Sequence, residues 1–437
     1  MLWGFPCDPG ARPTGLDLLT IVTALVVLAA LFGYINVRFL GLPITIGLML
    51  VSIVFSLLVL ALGFINPSII ALEEQLVGAI DFRGLLMDGM LSLLLFAGAL
   101  HVDFGKLTTY RWPIIVFATI GVLTSTALVG VLSWLLLGLL GQPTELIYCL
   151  LFGALISPTD PIAALGILQK LGVPKKLEIK IVGESLLNDG IGVVVFITLF
   201  QIAQLGVDEV AAVEIGLLFL EEVGGGVLLG LVLGSLAWYL LRTIDNYEAE
   251  VLITLGIVMG GYWLASRLHF SGPLAMVIAG LMIGNQMFRT GTMSDRTALY
   301  VDKFWEILDL LLNAVLFVLI GLEIVVLPFN GPFFLAGLAV IPVVLLARWL
   351  ALAPPIALFS RRLEFEPHTH LIMTWGGLRG GISIALALSL TPAMPRDLIL
   401  SMTYTVVVFS IIVQGLTVDG LVRRLRGTPA ARASAQP

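Results

Sequence analysis

Apolar stretches long enough to cross a bilayer recur from one end of the chain to the other. That repetition limits the fold more than any single motif does. They fall near residues 16–36, 42–64, 85–101, 112–140, 145–170, 178–204, 214–241, 249–267, 272–288, 303–326, 332–358, 370–391 and 397–421. A hydrocarbon core takes about 20 helical residues per crossing, so these thirteen runs are read as thirteen spans. Inside lipid every backbone N–H and C=O must find a partner within the protein, which leaves helices for runs of this kind. The expectation is an all-α polytopic membrane protein, a single transmembrane domain over residues 1–437. With 59% hydrophobic and only 12% charged residues, and a mean hydropathy of +1.07, a soluble globular domain is excluded.

Basic residues set the expected orientation. Arg38, Lys106 with Arg111, Lys170 with Lys175, Lys176 and Lys180, Arg242, Arg289 with Arg296 and Lys303, and Arg361 with Arg362 fall in or beside alternate connections. Arg423, Arg424 and Arg426 follow the last span. The positive-inside rule then puts the N-terminus outside and the C-terminus in the cytoplasm, in a cell inner (plasma) membrane. The start, MLWGFPCDPGARPTG, has no basic region leading into a short apolar core, so no cleaved signal is expected. The tail 427–437 is expected to be disordered. Cys7 and Cys149 make no disulfide framework. No Gly-rich phosphate loop and no Cys/His cluster is present, which argues against an ATP-driven pump and a metalloenzyme. No cofactor and no nucleic-acid partner is expected.

Chemistry concentrates in ISPTDPIAALGILQKLGVPKKLEIKIVGESLLNDGIG, residues 156–192. Both arms are apolar, yet they carry Asp160, Glu184, Asn188 and Asp189. A carboxylate in a bilayer costs several kcal/mol and marks an ion or proton pathway. Pro158 and Pro161 each remove an N–H and push the preceding residue off helical angles. A helix broken near 156–162 follows, with free carbonyls of the kind transporters use. Ser185 and Asp189 are four apart and share one helical stripe. Glu184 lies about 140° round from Asp189, so it looks elsewhere, toward a buried base.

The later spans supply counterparts. Arg348 lies well inside the eleventh span, and an unpaired buried charge is costly, so pairing with Glu184 is the better reading over snorkelling. In the twelfth span Gly376, Gly377, Gly380 and Gly381 flank Arg379 and permit a second break near 375–381. One interrupted span in each half points to an inverted-repeat transporter with its site between them. Asp103, near the end of the third span, keeps two readings: a solvated cap, or a place in the ion path. The glycines of the seventh span (Gly224, Gly225, Gly226, Gly230, Gly234) and eighth span (Gly256, Gly260, Gly261) read as close helix packing, with a dimer face as one place for it. His101, His269, His368 and His370 fall at span ends or loops and read as surface residues.

The pattern SPTDP followed by GESLLNDG, with GGLRGG near the end, resembles the NhaP/NHE-type monovalent cation:proton antiporters over nearly the whole chain. That resemblance implies a core bundle over roughly 112–204 and 332–421, crossing at its two broken helices. The parts near 16–101 and 214–326 would then form a scaffold and a homodimer interface. It implies that Asp189 carries ion and proton, that Asp160, Ser185 and Thr159 are co-ligands of Na⁺, and that Asp103 reaches the ion through water. It also implies that Asn188 ties the broken helices, that Glu184 pairs with Arg348, and that exchange is electroneutral, one for one. Arg379 stays open between structure and gating.

The mechanism expected is secondary active transport rather than enzyme catalysis. Proton and alkali cation compete for the same hard oxygens, and only the occupied site reorients cheaply. Na⁺ or Li⁺ against H⁺, serving pH and sodium homeostasis, is the first reading. A K⁺/H⁺ antiporter of the same mechanism, a cation channel and an anion carrier built around Arg379 are the alternatives.

Overall fold

The computed structural model describes residues 18–63, 65–66, 84–102, 111–160, 175–205, 212–285, 293–323, 330–359 and 368–426. Among them all regular secondary structure is helical, without a strand. In chain order the helices are α1 (Leu18–Ile35), α2 (Ile44–Gly63), α3 (Leu91–Leu100), α4 (Val122–Leu139), α5 (Leu146–Ile156), α6 (Lys175–Leu205) and α7 (Ala212–Leu241). They continue as α8 (Tyr247–Leu268), α9 (Gly272–Gly284), α10 (Asp295–Leu322), α11 (Gly331–Phe359), α12 (Thr369–Trp375), α13 (Gly381–Leu388) and α14 (Arg396–Phe409). π-helical turns extend α1 (Asn36–Leu40), precede α3 (Gly84–Met90) and α4 (Phe117–Gly121), and carry α14 through Ser410–Gln414 into a last helix, Gly415–Arg426. Among the described residues nine helices are long and apolar enough to cross a membrane, and three shorter apolar helices stand beside them. With α12 and α13 as halves of one interrupted span, every one of the thirteen expected spans has its helix.

Contacts divide the chain into two units, residues 1–81 with 315–326, and 82–314 with 327–437. In the first, Asn36 is the hinge between α1 and α2. Its side chain bonds Leu42 O at 3.0 Å and accepts from Leu42 N at 3.3 Å. In the same unit, a Cβ on Gly321 would come within 2.1 Å of Ser52 Cβ, so the end of α10 lies against α2 only because that residue is glycine.

In the second unit α7 packs on α9, α9 on α3, α4 on α5 and α11 on α14. The glycines of α7 account for the first of these contacts. A Cβ on Gly226 would meet Ser271 O at 2.8 Å, and one on Gly230 would meet Ala275 O at 2.6 Å. The stripe is thus filled within the chain by α9. In α8 only Gly261 is in close contact, with Leu233, whereas Gly256 and Gly260 meet nothing within 4 Å. The expectation of close packing therefore holds for Gly225, Gly226, Gly230 and Gly234 of α7 and for one glycine of α8, but not for Gly224, which meets nothing within 4 Å. Buried Phe96 and Trp305 meet with ring centroids 4.6 Å apart, and Trp305 Nε1 donates to Thr254 Oγ1 at 3.0 Å. Asn246 caps α8 by accepting from Ala249 N at 3.0 Å. His269 ends that helix in the left-handed region (φ 57°), and Ser271 caps α9.

Candidate functional site

Two chain breaks meet in the second unit. α5 stops at Ile156, and residues 158–160 continue without helical pairing. α12 stops at Trp375, and residues 377–380 run unpaired until α13 begins. Breaking a helix inside a membrane leaves polar backbone groups that must be satisfied by protein. Here they satisfy each other. Asp160 N donates to Leu378 O at 2.7 Å, linking one break to the other. The Arg379 guanidinium, 2% exposed, donates through Nη1 to the carbonyls of Ser157 and Pro158. Arg379 N in turn donates to Ser410 Oγ at 2.9 Å, and Gln414 Nε2 donates to Trp375 O at 3.0 Å. Ser410 and Gln414 bound the π-helical turn of the last span, a local geometry that often accompanies function.

α6 supplies the side chains that face this crossing. Asn188 is fully buried and holds Thr159 twice. Its Oδ1 accepts from Thr159 N at 3.2 Å, and its Nδ2 donates to Thr159 Oγ1 at 2.9 Å. Thr159 Oγ1 lies 2.8 Å from Ser185 Oγ. One turn on from Ser185 stands Asp189, 3% exposed, with Asp160 and Arg379 as its charged neighbours. Asp160 itself is half-buried. Glycine makes the approach possible at two points. A Cβ on Gly192 would lie 2.2 Å from Pro158 Cγ, and one on Gly380 would lie 2.6 Å from Asp160 Oδ2.

Glu184 points away from this cluster, toward α11. Its Oε1 lies 2.5 Å from Arg348 Nη1, with side-chain exposures of 1% and 6%. The pair meets by distance but not by alignment: neither Glu184 oxygen and not Arg348 Nε carries a well-angled hydrogen bond. We read it as an ion pair held by charge at short range. Gly377 gives Arg348 its room, since a Cβ there would stand 3.1 Å from Nε.

The structure therefore gathers Thr159, Asp160, Ser185, Asn188, Asp189 and Arg379 at the crossing, with Pro158, Gly376, Gly377, Gly380 and Gly381 in or beside the breaks. Glu184 and Arg348 form a separate pair. Asp103 and Pro161 lie outside the described residues, as does the tail 427–437. Sequence reasoning missed Ser410 and Gln414. The available signal was two polar residues four apart in an apolar span.

Chemically, the site offers two carboxylates and two hydroxyls in a largely dehydrated setting beside one guanidinium already engaged with carbonyls. Hard oxygen donors of this kind suit an alkali cation or a proton.

Comparison with known proteins agrees with this architecture. Residues 26–424 match the model of the family described as "Sodium/hydrogen exchanger, transmembrane". The chain is 50% identical over 414 residues to the Na(+)/H(+) antiporter NhaP of Pseudomonas aeruginosa strain PAO1, covering 93% of this chain and 97% of that protein. It is 34% identical over 387 residues to the Na(+)/H(+) antiporter NhaH of Halobacillus dabanensis, covering 88% and 92%. Its fold is similar to the solved structure of the sodium proton antiporter MjNhaP1 from Methanocaldococcus jannaschii at pH 8. That likeness has a TM-score of 0.73 at 21% identity and spans 94% of this chain and 100% of the other. With two interrupted helices crossing at buried carboxylates, and a family match that runs nearly from end to end, the chain belongs to the sodium/hydrogen exchanger family.

Proposed function

We propose that this chain is a secondary active transporter that exchanges Na⁺, or Li⁺, for H⁺ across a cell inner membrane by alternating access, one ion for one proton. The observation that carries the reading is the buried Asp189 carboxylate, set one turn from Ser185 and beside Thr159 and Asp160 where the two broken helices cross. Asp189 takes the proton or the cation. Asp160, Ser185 and Thr159 complete the cation's oxygen shell, and Asp103 contributes through water. Asn188 fixes Thr159, and Glu184 with Arg348 braces α6 against α11. Arg379 steadies the first break, and its engagement with the Ser157 and Pro158 carbonyls speaks against an anion carrier built around it. The core bundle is 112–204 with 332–421, and the remaining spans form a scaffold through which two copies pair. The N-terminus lies outside and the C-terminus in the cytoplasm. The relatives named as Na(+)/H(+) antiporters support the choice of cation.

The test is proton flux in sealed proteoliposomes with an internal pH dye. NaCl, LiCl, KCl or choline chloride is added in turn, and valinomycin with K⁺ sets the voltage. Na⁺- or Li⁺-driven flux, absent in Asp189→Asn and indifferent to voltage, is expected. Intact exchange in Asp189→Asn removes the proposal, and a response to K⁺ of equal size replaces sodium by potassium as cargo.

A further inference from the structure

Asp160 rests on the second break. Its backbone N donates to Leu378 O at 2.7 Å. Its side chain lies against Gly380, where a Cβ would stand 2.6 Å from Asp160 Oδ2 and 2.9 Å from Asp160 Cβ. Residues 378–380 are therefore a seat for one of the two carboxylates at the crossing.

Leu378 O and Arg379 N–H belong to the same peptide group. That group is planar and trans, so its oxygen and its hydrogen point in opposite directions. The oxygen accepts from Asp160 N, and the N–H donates to Ser410 Oγ at 2.9 Å. Two hydrogen bonds thus run through one rigid plane, from the last span to the Asp160 backbone. Buried bonds in series polarise and strengthen each other. Ser410 is fully buried, so its hydroxyl, not bulk water, is the acceptor. Packing leaves slack beside the plane: a void of about 10 Å³, the size of one water, is lined in part by Gly377, Arg379, Phe409 and Gln414. Gln414, four residues on from Ser410, holds a different point. Its Nε2 donates to Trp375 O at 3.0 Å, at the end of α12 and ahead of this peptide.

We propose that Ser410 is a positioning residue for the cation site. Through the Leu378–Arg379 peptide it fixes the Asp160 backbone, and with it how closely the Asp160 carboxylate approaches a small cation. Discrimination among cations depends on site size and flexibility, so this hydroxyl helps to set the order of Li⁺ and Na⁺. The cation in this assignment rests on the antiport reading. The hold on Asp160 does not.

Two readouts on the full chain test it. The first is hydrogen–deuterium exchange, followed by mass spectrometry over residues 157–161. Pro158 and Pro161 have no amide hydrogen, so this stretch reports Ser157, Thr159 and Asp160. One ordinary hydrogen bond is worth roughly two- to tenfold in an opening equilibrium. Ser410→Ala should speed exchange in this stretch by that factor and leave α8 unchanged. Ser410→Cys, with a weaker acceptor, should do the same by less. The second readout is cation-driven proton flux in proteoliposomes. Ser410→Ala should raise the Na⁺ KM by roughly two- to tenfold at near-parent kcat. The Li⁺ KM should rise further, because a smaller ion needs closer ligands. Ser410→Thr, which keeps the oxygen, should bring both back toward the parent. Gln414→Leu loses a buried bond on the same turn, so it should lower thermal stability and leave the Li⁺-to-Na⁺ KM ratio alone. Parent-like exchange in both Ser410→Ala and Ser410→Cys, a parent-like KM ratio in folded Ser410→Ala, or the same ratio change in Gln414→Leu overturns the assignment. A parent protein without cation-driven proton flux would sink the antiport reading, and faster exchange at Asp160 would still uphold the hold by Ser410.

Discussion

Removing one partner of the Glu184–Arg348 pair should cost far more stability than removing both. The pair is almost wholly buried, with side-chain exposures of 1% and 6% and a 2.5 Å approach. Two charges about 4 Å apart attract by about 4 kcal/mol at an effective dielectric of 20. Stripping one partner from a buried pair typically costs about 3–5 kcal/mol, because the other charge is left without compensation. The two magnitudes agree, and the absence of aligned hydrogen bonds on Glu184 and on Arg348 Nε makes charge the dominant component. Glu184→Leu and Arg348→Met should therefore each lower the thermal midpoint of the purified protein by roughly 3–5 °C, taking about 1 °C per kcal/mol for a chain of this length. The double variant, which buries two apolar side chains in place of two ions, should recover most of that loss. Heating aliquots in detergent and measuring the monodisperse fraction by size-exclusion chromatography provides the readout. High salt should change little, since a buried pair is weakly screened. Single variants within about 1 °C of the parent, or a double variant whose loss equals the sum of the singles, would refute the reasoning.

Gly380→Ala places a methyl 2.6 Å from Asp160 Oδ2 and 2.9 Å from Asp160 Cβ, so the carboxylate must turn aside and residue 160 must itself shift. A side chain forced off its rotamer costs about 0.5–1.5 kcal/mol, which is up to roughly tenfold in the Na⁺ KM. A KM unchanged with an intact protein would show that Asp160 does not need its present position. Asn188→Ala removes both bonds to Thr159 and leaves Thr159 N buried without its partner. The expected loss is about 2–4 kcal/mol, read in the same heating assay, and a loss under about 0.5 kcal/mol would mean that Thr159 and the first break are held to α6 by other contacts.

The spans, the breaks and the division of labour on α6 were legible because they depend on local pattern. Runs of apolar residues give lengths, and a four-residue interval puts Ser185 and Asp189 on one stripe while Glu184 turns away. What holds the breaks together was not legible, because it joins residues far apart in the chain: Arg379 reaches carbonyls 221 and 222 residues earlier. Proline alone was no guide. Pro342, Pro354 and Pro355 lie inside the continuous helix α11, whereas the chain leaves α5 just before Pro158. The difference is that the freed groups at Ser157 and Pro158 find Arg379, and the extended chain finds Asn188 and Leu378. The fit of Gly192 on Pro158 and of Gly380 on Asp160 also follows from which helices cross, which no periodicity encodes.

The charges at the crossing supply a reason for the proposed one-for-one exchange. Glu184 and Arg348 cancel one another. Among the described residues that meet at the crossing, Asp160 and Asp189 face the Arg379 guanidinium, which leaves one negative charge on the empty site, with Asp309 of α10 beside Asp160 but outside that count. A net charge resists transfer through a low-dielectric interior, so the empty site reorients slowly. One proton or one Na⁺ brings the sum to zero, and either ion then licenses the movement. The two compete, so at pH values where the protonated site dominates, the apparent KM for Na⁺ should rise about tenfold for each unit the pH falls. Asp160→Asn changes the sum itself. The empty site becomes neutral and the Na⁺-bound site carries one positive charge, so coupling is lost at both steps. Whatever flux survives in that variant should be driven by a valinomycin-set potential, unlike that of the parent protein. Residual flux that stays coupled to the proton and indifferent to voltage would show that Asp160 lies outside the charge balance and that the neutrality argument fails.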